Sequence, residues 1–168
     1  MFSTVELYDY SSKVRRRFAS KLQELPWDKV IQNREASYYS MRNILIHIID
    51  NEDWVANWVI QNRSLEYKPS KKPEEYNNMN QVIVHLDEVE ARTRSYLKKD
   101  PEDQEFKRRI SFVLRSSGKS FDLSVEEALF QTFTEQLYHM GELIALLWQE
   151  NIEPPQMQWF WNNPRQSE

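Results

Sequence analysis

Two glycines, Gly118 and Gly141, are all that this 168-residue chain contains. Tight hairpins, bulges and phosphate-cradling loops draw on glycine for backbone angles that other residues resist. Turn-rich all-β architectures and glycine-rich nucleotide loops are therefore excluded, and a mostly helical chain is expected. The seven prolines sharpen this expectation. Pro26, Pro69, Pro73, Pro101, Pro154, Pro155 and Pro164 divide the sequence into long proline-free stretches, and proline inside a helix both removes an amide donor and clashes with the preceding turn. The length suits one continuous core, so residues 1–168 are read as a single domain.

Four stretches carry helical periodicity. Residues 4–25 place Tyr8, Ser11, Phe18, Leu22 and Leu25 near one face, with Arg15, Arg16 and Arg17 interrupting the pattern, and stop at Pro26. Residues 40–61 carry Ile44, Ile48, Val55 and Trp58 at helical spacing, and a proline- and lysine-bearing connection follows over 64–73. Residues 80–98 form a stripe of Val82, Leu86, Val89, Thr93, Tyr96 and Leu97, ended by Asp100-Pro101. Then the period changes: Ile110, Phe112 and Leu114 alternate with Ser111 and Arg115, and Ser116-Ser117-Gly118-Lys119 reads as a turn, which predicts a short hairpin or an irregular crossover. The last stretch, 124–150, opens on Ser124-Val125-Glu126-Glu127, a capping box in which Ser124 caps a free amide and Glu127 reaches back. After Pro154-Pro155 the tail Trp159-Phe160-Trp161 must pack on something. Four helices of this length are most economically an all-α four-helix bundle, with a long crossover between the third and fourth and a short aromatic tail.

Composition narrows the chemistry. The charge sum of 22 basic and 26 acidic residues is −4, so no global field favours nucleic acid or an anionic membrane. The cluster Lys107-Arg108-Arg109, with Arg115 and Lys119, is read as the solvated face of the crossover, since no reading helix or stacking platform accompanies it. No apolar run approaches the roughly 18 residues of a membrane span, and Met1-Phe2-Ser3-Thr4-Val5-Glu6 does not resemble a secretory leader, so a cytoplasmic location is expected. Without cysteine there is no disulfide, no thiolate nucleophile and no cysteine zinc site, leaving His and carboxylates as metal ligands.

Three histidines are available for such work. At about 100° per residue, Glu135 and His139 fall on one inward stripe of the fourth helix with Ala128, Thr132, Leu143 and Leu146. His47 shares a face of the second helix with Ile44, Trp54 and Trp58, flanked by Asn43, Asp50 and Asn51. A carboxylate on an apolar face needs a cation, a hydrogen-bond network or water. Two readings satisfy it: a divalent ion shared by His47, Glu135 and His139, or a structural Glu–His hydrogen bond. In the metal reading Asp50 or Asn51 orients His47, and Trp54 and Thr132 stand in the pocket wall. His85 lies off its helix's stripe and is expected at the surface, while Glu90, Glu127 and Glu142 read as solvated charges or caps.

The run Ser40-Met41-Arg42-Asn43-Ile44-Leu45-Ile46-His47-Ile48-Ile49-Asp50-Asn51-Glu52, together with Glu135-Gln136-Leu137-Tyr138-His139-Met140-Gly141-Glu142-Leu143-Ile144 and Ile152-Glu153-Pro154-Pro155, resembles the DinB-like (YfiT-type) family in order and spacing over nearly the whole chain. That resemblance implies a four-helix bundle, commonly homodimeric, with a divalent metal held by one second-helix His and a His-x-x-x-His pair on the fourth. His47 matches the first, and His139 matches the last His of the pair, whose leading His is replaced here by Glu135. The Arg and Gln usual beside that pair are Met140 and Glu142. The characterised branches include thiol-dependent S-transferases using bacillithiol or mycothiol and a mycothiol-dependent isomerase, so the expectation is a metal-dependent thiol S-transferase of the bacillithiol type, or a hydrolase, acting on a small molecule, with zinc, nickel, manganese or iron and a low-molecular-weight thiol as cosubstrate. The competing expectation is a non-catalytic dimeric bundle, a binding or stress-response module whose former site is an internal hydrogen bond.

Overall fold

Each long helix starts where a side chain satisfies amides that have no partner in the preceding turn. The computed structural model describes residues 3–61, 67–98, 104–114 and 117–162. Helix α1 (Thr4–Gln23) is capped by Ser3, with Glu6 closing a capping box, and a short α2 (Trp27–Ile31) follows Pro26. Helix α3 (Met41–Trp54) is capped by Ser40 and runs directly into one π-helical turn, Val55–Val59. A 3₁₀ turn, Pro73–Glu75, precedes α4 (Met79–Leu97), capped by Asn78. The short α5 (Gln104–Lys107) leads into β1 (Arg109–Leu114) and β2 (Lys119–Ser124). The chain ends through α6 (Val125–Gln149), with the Ser124–Glu127 capping box, and α7 (Trp159–Asn162).

The four long helices form a bundle in which α1 packs on α4 and α6, and α3 packs on the same two. Helices α1 and α3 thus lie across one diagonal and α4 and α6 across the other, while the consecutive α3 and α4 are neighbours. The third-to-fourth link is an antiparallel hairpin, with Ile110 opposite Leu123 and Phe112 opposite Phe121, so both pairs line one face. Gly118 sits at φ +67° in its turn, a left-handed angle at which other residues are strained. Among the described residues no helix is long and apolar enough to cross a membrane. The Asp100-Pro101 stop, residues 64–66 of the connection, Arg115 and Ser116 lie outside the described residues.

The core is divided. Val14, Phe18, Ile44, Ile48, Leu86, Met140 and Leu143 belong to one apolar cluster, and Tyr8, Ala56, Tyr96, Leu129 and Phe133 to the other. Between them along each long helix lies a polar layer. Arg15, read from sequence as an interruption, is fully buried and paired with the equally buried Glu52. Gln136 donates to Glu52 at 2.8 Å and Tyr8 donates to it at 3.1 Å. Glu90 is buried rather than solvated: it accepts from Ser12 at 2.6 Å and Arg94 at 2.9 Å, and Arg16 stands 2.8 Å away. His85 is likewise inside, 5 % exposed, because Asp50 of α3 meets its Nε2 at 2.9 Å across the helix interface. The aromatic tail packs only in part. Trp159 meets Tyr10 at 5.0 Å, whereas Phe160 and Trp161 stay exposed.

Candidate metal centre

Helix α6 projects Glu135 and His139 one turn apart, and α3 brings His47 to face them. Glu135 Oε1 lies 3.6 Å from His47 Nε2 and 3.8 Å from His139 Nε2, and one donor atom from each of the three falls within 4.8 Å of the others. The imidazole rings meet edge to face at 4.7 Å. Exposure rises outward through the group, from 8 % at His139 to 23 % at His47 and 34 % at Glu135, so the acid marks its open side.

Hydrogen bonds aim these donors. His139 Nδ1 contacts Glu142 Oε2 at 2.8 Å. An ionised carboxylate only accepts, so Nδ1 donates to it and Nε2 is the ring nitrogen that faces Glu135. Glu142 is itself held by Ser37, which donates at 2.7 Å. Tyr38 stacks on His47 with ring centres 4.0 Å apart and brings its hydroxyl to 3.0 Å from Nε2. Burial, followed by the charges of Glu135 and Glu142, pushes the Tyr38 hydroxyl up, so it keeps its proton at neutral pH. His47, facing it closely, holds the Glu135 carboxyl below the ordinary range; burial opposes this, and Gln131 assists.

The donor set fits a divalent ion. Two imidazole nitrogens and an ionised oxygen converge, and no lysine or arginine among the described residues is paired with Glu135. The edges of a tetrahedral site with bonds near 2.0 Å are about 3.3 Å, so modest side-chain movement would close 3.6 and 3.8 Å onto one ion.

Beside Glu135 opens a cavity of about 980 Å³. Its walls include Leu7 of α1, Trp54 and Val55, Phe112, Leu114, Phe121 and Leu123 of the hairpin, and Ala128, Phe130 and Thr132 of α6. Trp54, Thr132 and Asn51 thus line the chamber. Asp50 does not serve His47: three positions on, its side chain has turned toward α4 and is taken by His85. Glu142 orients His139 through its Nδ1, and Tyr38 positions His47 by stacking on its ring. Glu142 stands three residues after His139, a spacing that could have revealed it. Tyr38 lies in an irregular segment where periodicity gives no signal.

Two members of the basic cluster are locally paired. Arg108 pairs with Glu105 at 2.5 Å and donates to the Ile60 carbonyl, and Arg109 pairs with Asp122 at 3.0 Å.

A comparison with curated proteins finds no match. The family model described as the DinB family matches residues 1–167, which takes in the whole bundle, the hairpin and every residue of the His47–Glu135–His139 group. The chain belongs to the DinB family.

Proposed function

We propose that this chain is a divalent-metal-dependent enzyme in which His47, Glu135 and His139 hold the ion, and that its reaction is a thiol S-transfer or a hydrolysis. The convergence of the His47 and His139 Nε2 atoms and an ionised carboxylate at the edge of an apolar cavity carries this reading. When bound, a divalent ion supplies Lewis acidity, which brings a thiol or water toward ionisation near neutral pH. The residues do the remainder. Glu142 fixes the His139 tautomer, Tyr38 keeps a proton beside His47, and the Trp54, Phe112 and Leu123 walls shed water from a bound electrophile.

Element analysis of protein purified without a His tag tests the proposal. Stoichiometric metal that is lost in His47→Ala and in Glu135→Ala is expected. Protein that takes up neither zinc, nickel, manganese nor iron overturns it and leaves a binding module with an internal Glu–His contact. A melting screen across ions and low-molecular-weight thiols separates the two nucleophiles, since a native-state ligand raises the midpoint. We also propose a cytoplasmic homodimer, to which the exposed Phe130, Tyr138 and Trp148 of α6 lend support; sedimentation velocity reads the assembly state.

A further inference from the structure

The cavity beside Glu135 is walled mostly by apolar side chains, with Asn51, Gln131 and Thr132 among them, and carries carboxylates at both ends. Glu135 stands at the inner end, and Glu126 and Glu127 stand in the first turn of α6 at the other. Among the described residues that line it there is no lysine or arginine. Nine residues of α-helix separate the two ends, a span of about 13 Å at 1.5 Å per residue. Glu127 is partly balanced by Arg109, 3.5 Å away, whereas Glu126 accepts from the Thr4 hydroxyl at 3.2 Å and is paired with no cation among the described residues. The α6 N-terminus itself would favour an anion, with roughly half a positive charge. Two carboxylates outweigh it, and the Ser124 side chain already caps one of its amides.

From this arrangement we propose that the cavity takes an elongated substrate with a positively charged amine or ammonium head at Glu126, an apolar body along Trp54, Phe112, Phe121 and Leu123, and its reacting end at Glu135. This rests on the cavity being the substrate chamber of the proposed metal site. The volume, about 980 Å³, lies at the upper end of the ~300–1,000 Å³ range of small-molecule sites and accommodates a chain or ring system of that length. A carboxylate or phosphate head at the same end would meet Glu126, and among the described residues Arg109, already engaged by Asp122 and Glu127, is the cation near enough to offset it.

Decylammonium, decanol and decanoate share one tail and differ in head charge. Their dissociation constants, measured below self-association by displacement of the neutral fluorophore N-phenyl-1-naphthylamine, test the proposal. The measurement is made on the purified protein and on His47→Ala, so that carboxylate capture at the metal centre is kept apart. Decylammonium is expected to bind at least fivefold more tightly than decanol in both proteins, with decanoate weakest in His47→Ala. Glu126→Gln is expected to weaken decylammonium threefold or more and leave decanol unchanged. A merely structural role for Glu126 would shift both ligands together and overturns the assignment. Decanol equal to or tighter than decylammonium overturns the charge selection, and failure of all three to displace the fluorophore overturns the cavity as a ligand site. The metal reading fails separately: unchanged head-group preference in protein that binds no metal leaves the ammonium-selective cavity standing and overturns only the reacting end at Glu135.

Discussion

Glu135 stands where the resemblance places a histidine, and the exchange changes the donor set from neutral to singly negative. Carboxylate oxygen is a harder donor than imidazole, so the metal preference should move with it. Glu135→His is expected to raise zinc or nickel affinity relative to manganese, read by competition titration of tag-free protein; an unchanged order would show that the residue does not contact the ion. Residue identity was least legible where charge is buried. Arg15, Glu52 and Glu90 look like surface residues by type, and only their mutual placement, visible once α1, α3 and α4 are assembled, makes interior positions tolerable. Burial works to raise the Glu90 carboxyl, but hydrogen bonds from Ser12 and Arg94 and the charges of Arg15 and Arg16 overcome it, leaving it below the ordinary range. A carboxyl depressed on folding contributes stability that is complete above its unfolded value, about 4.3, and is lost as pH falls through the lower folded value. Urea midpoints measured from pH 7 to 3 should therefore hold steady to about pH 4.3 and then fall. That fall should be shallower in Glu90→Gln.

At the scale of elements the reading was far more complete, because spacing and caps are local properties. The Ser124 start of α6, the end near residue 149 and the alternation that becomes β1 were all readable. The π-helical turn after Trp54 was not, since a one-residue expansion of the helical ring leaves the apolar spacing nearly unchanged. Nor was the segment bearing Ser37 and Tyr38, whose position is set by contacts with Glu142 and His47 rather than by any repeat. Two of the three ligand candidates ride on α6, so its cap matters to the site. Ser124→Ala removes the acceptor of the Glu127 amide and should cost about 1 kcal/mol, measured by denaturant midpoint, with metal stoichiometry retained because Glu135 is nearly three turns downstream.

For the molecule as a whole, ligand linkage makes the centre measurable without knowing the reaction. An ion present at a hundred times its dissociation constant should stabilise the native state by about 2.7 kcal/mol. For a chain of this size that is a midpoint rise of about 5–10 °C, and it should vanish in His47→Ala. Homologous order along the chain made the bundle and the meeting of His47 with Glu135 and His139 foreseeable; of the chamber, Trp54 and Thr132 were foreseeable as wall residues but the hairpin's share was not, because it forms only where the hairpin folds over α6. One feature of the interior reaches further. Gln136, the neighbour of Glu135, is tied to Glu52 and also accepts from Ser11 at 2.7 Å, and Glu52 is tied to Arg15. Rotating α6 by a single position would swing the amide away by about 100° and strip a partner from a sealed-in ion pair. The saline seam thereby acts as a locating pin: it indexes the helix about its own axis, and the aim of the adjoining carboxylate is inherited from an electrostatic lock that never touches substrate.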